Sequence, residues 1–219
     1  MMNGDAKRDA SFASDCRTVV AYLEGAGEAG AAARALRRVV LAADSGPVAE
    51  VKAALQKADV SLLTALGHEG GVSLYYDPAL APTANVLHLF EAMLRCPWLA
   101  KKVFGNWLEE YPNEYLAAIR ETILTSDDYG EFDGLAAMIL EHWPWFIENA
   151  AFEWLDSEEP KLWRQVAMMW LTVDCGVRSD INMDRRRQLA EAMARHKDPA
   201  VRGAGVSELA GILKKMRRE

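Results

Sequence analysis

Histidines in helical register with carboxylates are the first place to look for a metal or an acid–base pair. His88 and Glu91 stand three residues apart on one expected helix. The helical carboxylate site runs Glu-x-x-His, and here the order is reversed with no second copy. His88 lies between Leu87 and Leu89 and reads as a satisfied or exposed side chain. No HExxH is present. His142 precedes Trp143-Pro144-Trp145 at an expected helix end, where an imidazole suits the dipole. His68, beside Glu69 in Gly67-His68-Glu69-Gly70-Gly71, is the one histidine expected in an open loop. That glycine run is too short to cradle a phosphate and lacks both the GK[ST] ending and a preceding strand. No GxSxG elbow occurs.

Asp127, Asp128, Glu131 and Asp133 bring four carboxylates together. They lack a twelve-residue calcium loop with its closing bidentate glutamate, and they read as a helix-capping cluster. Cys16, Cys96 and Cys175 are far apart, odd in number and without CxxC spacing, which points to a reducing compartment and no metal knuckle. No metal, cofactor or catalytic residue is expected.

The aromatic cluster says more. Trp143, Trp145, Phe146, Phe152, Trp154, Trp163 and Trp170 fall within 28 residues, interleaved with Glu141, Glu148, Glu153, Asp156, Glu158 and Glu159. Most of these rings belong in a core between hairpins, but they are too many for one face. Indole with an acidic rim suits docking of a basic or apolar partner. The expected partner-binding residues are Trp145, Glu148, Glu153, Trp154 and Trp163.

At 219 residues with 51% apolar and 26% charged side chains, the chain can bury a large core. The net charge of −7 is uneven: residues 61–180 carry 7 Lys/Arg against 19 Asp/Glu, and residues 181–219 carry 10 against 5. An acidic middle steers basic partners and opposes phosphate backbones. The N-terminus lacks an apolar signal core and no run of eighteen apolar residues occurs, so a soluble, cytoplasmic protein is expected.

Helical spacing sets the elements. A frayed tail over 1–9 is followed by helices expected near 11–23, 31–43, 48–58 and 60–66. Residues 67–82 lose the helical register and read as an irregular loop, dividing an N-terminal helical segment, 1–66, from a hairpin array, 83–219, the whole forming one continuous domain. Prolines 97, 112, 144 and 160 open helices 15, 32 and 16 residues apart, so each short helix folds back on the last. Leu162, Trp163, Val166, Ala167, Met169, Trp170 and Leu171 make the helix after Pro160 apolar nearly all round, as in a helix buried between neighbours.

Asp198-Pro199-Ala200-Val201-Arg202, followed by Ala204, Val206, Leu209, Ile212 and Leu213, resembles one HEAT repeat. Glu159-Pro160-Lys161-Leu162-Trp163-Arg164 echoes it 39 residues earlier, with Trp163 where Arg202 stands. The resemblance implies an all-α fold of antiparallel helix hairpins stacked as a short HEAT-like α-α superhelix. Some HEAT-like arrays are DNA glycosylases, so an enzyme acting on nucleic acid is the alternative function. The acidic centre favours a non-catalytic protein–protein interaction module: an adaptor, a chaperone or an immunity-type protein, with no membrane partner.

Overall fold

Prolines and side-chain caps set where the helices begin. The computed structural model describes residues 4–46, 48–72, 82–108, 110–125, 146–172 and 183–216, and these are all-helical, with neighbouring helices packed together and no strand among them. Asp59 accepts from the Ser61 N–H at 2.8 Å to start one helix, and Thr83 accepts from the Val86 N–H at 3.4 Å to start the next. Pro97, Pro112, Pro160 and Pro199 each stand first in a helix, where a missing N–H costs nothing.

The chain divides into two compact units, residues 1–119 and 120–219. The first contains α1 (Gly4–Leu23), α2 (Ala29–Leu41), α3 (Ala49–Lys57), α4 (Val60–His68), α5 (Ala84–Met93), α6 (Pro97–Leu108) and the start of α7 (Pro112–Thr125). α1 begins upstream of the start expected near residue 11 and takes in residues expected to fray. Gly25 and Gly27, at φ 92° and 105°, supply the left-handed turn that reverses the chain into α2. Across that hairpin Arg38 forks onto Asp15 at 2.6 and 2.8 Å. The Tyr22 hydroxyl donates to the Leu62 carbonyl at 3.2 Å and ties α1 to α4.

The division does not fall at the expected loop. α5 packs back on α3 and α6 on α4. Asn85 donates to the Ala43 carbonyl at 3.0 Å, and Lys52 reaches Glu91 at 3.4 Å. Helices from both sides of 67–82 therefore share one core. At its end, Phe90 meets Phe104 and Tyr115 edge to face, with ring centroids 5.3 and 4.8 Å away.

The second unit contains the end of α7, a π turn (Ile147–Ala151) running into α8 (Phe152–Asp156), then α9 (Pro160–Thr172), α10 (Met183–Ala194) and α11 (Pro199–Met216). Leu162, Trp163, Gln165, Val166 and Ala167 of α9 are all buried, so that helix is enclosed on most sides. α10 and α11 form the tightest hairpin, and α11 also packs on α9. At their crossing a Cβ on Gly205 would strike the backbone of Met193 and Ala194, so only glycine fits. Below it the buried Arg186 guanidinium donates to the Glu208 carboxylate at 2.6 Å. Breaking such a pair leaves an uncompensated buried charge.

The HEAT-like spacing of α11 is only partly a core. Val201, Ala204 and Ile212 are buried, but Val206 and Leu213 point outward.

Candidate functional site

The turn between α8 and α9 is built by two residues beneath it. The Trp163 indole N–H donates to the Ser157 carbonyl at 2.6 Å. The Ser157 hydroxyl donates to the Trp154 carbonyl at 2.7 Å and accepts from the Glu159 N–H at 3.3 Å. This closes α8, satisfies polar groups at two helix ends and fixes the path of residues 156–159.

Above that turn stand Glu153, Asp156, Glu158 and Glu159, all exposed. Glu158 meets Lys197 at 3.2 Å, and the Lys197 ammonium also lies 4.5 Å from the Trp163 ring centre. No cation described in the structure lies within ion-pair distance of Glu153, Asp156 or Glu159. Glu158 and Glu159 adjoin the N-terminus of α9, where the helix dipole favours negative charge. Asp156 ends α8, where the same dipole opposes it, and Glu153, in the first turn of this short helix, is its like-charged neighbour at i,i+3. Their charges weaken the helix that carries them.

The expected indole surface is corrected here. Trp154 is 2% exposed and packs edge to face on Phe146 at 5.0 Å. Trp163 is 7% exposed, with His196 edge-on at 4.9 Å on one side and Lys197 over its face. Both rings sit at helical positions that face neighbouring helices, so they support the acidic turn from beneath and offer no face of their own. Glu153 is exposed as expected. Glu148 lies in the π turn, and Trp145 lies outside the described residues. The residues missed by spacing alone are Ser157, whose hydroxyl closes the turn, and Lys197, brought in from 39 positions away.

Asp198 starts α11 by accepting from the Val201 and Ala200 N–H groups at 3.2 and 2.9 Å. Those hydrogen bonds, the one from Val201 foremost, hold its carboxyl below the usual aspartate range. Arg202 donates to the His196 and Lys197 carbonyls, closing the end of α10.

The other candidates fall elsewhere. His68 is exposed at the end of α4, its ring 6.0 Å from Trp98, which is 43% exposed. His88 is exposed, and Glu91 is engaged by Lys52. Cys16 and Cys96 are buried free thiols, and burial pushes Cys16 above the usual thiol range. The Asp127–Asp133 cluster and Cys175 lie outside the described residues, among which no group of His, Cys, Asp and Glu is arranged to hold a metal ion. No described helix is long and apolar enough to cross a membrane.

Comparison with protein-family models, curated proteins and solved structures finds no match to this chain.

Proposed function

We propose that this chain is a non-catalytic protein–protein interaction module whose acidic turn, Glu153 to Glu159, holds a basic partner. One observation carries the reading: Glu153 and Asp156 are exposed, have no cation partner among the described residues, and stand as like charges three residues apart, with Asp156 at the helix end where the dipole disfavours it. Charge placed against local stability is expected where a surface serves a partner. Trp163 and Ser157 hold the turn in one conformation before the partner arrives, which reduces the ordering cost of binding. Trp154 and Trp163 contribute from beneath, and Glu148 and Trp145 precede the turn on the same segment. The hairpins belong, in this reading, to a HEAT-like array, and the compartment is the cytoplasm, in keeping with the buried free thiols of Cys16 and Cys96.

A tagged pull-down at low and at moderate salt tests the class of partner. The expected result is one stoichiometric protein, retained at low salt and lost at moderate salt. Recovery of nuclease-sensitive nucleic acid instead would replace this reading with a HEAT-like, glycosylase-type one.

A further inference from the structure

The outward face of α11 has no counterpart among the described residues of its own unit. Pro199, Gly203, Val206, Ala210 and Leu213 follow one another at spacings of 4, 3, 4 and 3, the repeat of a coiled-coil seam. Pro199, Gly203, Val206, Ala210 and Leu213 are all exposed. Val206 at 56% and Leu213 at 52% are more exposed than any other large apolar side chain described. The inward face, made of Val201, Ala204, Gly205, Glu208 and Ile212, is already covered by α9 and α10.

The two glycines separate these faces. Gly205 is explained from within, because α10 passes too close for a Cβ. Gly203 has nothing within 4 Å of where a Cβ would stand. Glycine inside a helix is destabilising relative to alanine, and at Gly203 nothing in the described structure requires it. A second helix crossing close to the stripe from outside would require it, as α10 does for Gly205.

Charge then selects the occupant. Arg202 and Lys214 flank the stripe and are exposed, while Glu208, the one carboxylate of α11, is buried on the other face against Arg186. A second copy of the chain would set like charges beside like, with no exposed carboxylate on either helix.

We propose that the outward face of α11 binds an amphipathic helix of a partner protein, with apolar residues along its seam and acidic residues flanking them. This surface is separate from the acidic turn and has the opposite charge preference, so either can fail alone.

The probe is a synthetic helical peptide of about 20 residues, with Leu at both seam positions and Glu at the flanks, titrated into the full chain by fluorescence anisotropy. A sister peptide carries Lys at the flanks. The Glu-flanked peptide is expected to bind, with affinity falling as salt rises, and the Lys-flanked peptide to bind at least about tenfold more weakly. Val206→Glu and Gly203→Leu are each expected to weaken binding by about tenfold or more while circular dichroism stays unchanged. Both positions face solvent, so both variants fold. Equal binding of the two peptides, no binding, or binding untouched by Gly203→Leu would overturn the proposal. Concentration-dependent dimerisation of the chain alone, abolished by Val206→Glu, would overturn it in favour of a second copy.

Discussion

Two aromatic clusters in this molecule do different work. In the first unit Phe90, Phe104 and Tyr115 are fully buried, and Phe90 meets the other two edge to face. In the second, Trp154 and Trp163 are almost as deeply buried, but the Trp163 N–H is directed at the chain turn that carries four exposed carboxylates. The first cluster is a core. The second is a core in which one indole N–H, that of Trp163, fixes a charged surface. Aromatic density alone does not distinguish them; the hydrogen bond from Trp163 to Ser157 does.

The sharpest way to break the comparison is to empty each cluster. Phe90→Ala should cost about 3–5 kcal/mol, the range for deleting a buried aromatic ring, measured by urea unfolding. A loss below the low end would mean that the first cluster is not the core it is taken to be.

A smaller effect is expected at the turn. Trp163→Phe removes the donor to Ser157 and shrinks a buried ring, so it should cost about 1–3 kcal/mol. Amide exchange at Ser157 and Glu159 should accelerate, with little change elsewhere. Unchanged exchange there would mean that Trp163 does not hold the turn.

The smallest effect separates the two clusters by their polar atoms. The Tyr115 hydroxyl is buried with no hydrogen-bond partner among the described residues. Burial, with lesser contributions from Tyr111 and Glu114, pushes it well above the usual tyrosine range. Ionisation is therefore easier in the unfolded chain. The stability tied to this group is complete below the ordinary tyrosine pKa of about 10 and declines as pH rises through and beyond it. Tyr115→Phe should change stability near neutrality by less than about 1 kcal/mol, in the favourable direction, and should flatten the alkaline decline. Destabilisation by Tyr115→Phe with an unaltered alkaline limb would show that the hydroxyl has a partner after all.

Much of the fold was legible because prolines and caps mark helix starts in one dimension. Pro97, Pro112 and Pro160 opened helices where spacing placed them. Which helix packs on which was not legible. The loop at 67–82 looked like a boundary because register is lost there, yet α5 and α6 return to α3 and α4. Periodicity also fails to say which of two apolar faces is covered. Val206 and Leu213 share helical spacing with Ile212, but only Ile212 meets a neighbour. Trp154 and Trp163 posed the same ambiguity in reverse, expected at a surface and found beneath one. The acidic residues were visible as a rim; the conflict of Asp156 with the helix dipole required knowing that α8 ends there.

The central claim is that the acidic turn binds a basic protein partner. Its most direct test is calorimetric titration of the captured partner against the wild-type chain and the triple variant Glu153→Lys/Asp156→Lys/Glu159→Lys. A control of equal net charge reverses Glu24, Glu114 and Glu121, which are exposed elsewhere. All three chains should remain folded, which circular dichroism checks. The account predicts that the turn variant loses binding by about a hundredfold or more, while the control stays close to wild type. Equal affinity for the turn variant and the wild type, with both folded, would contradict it.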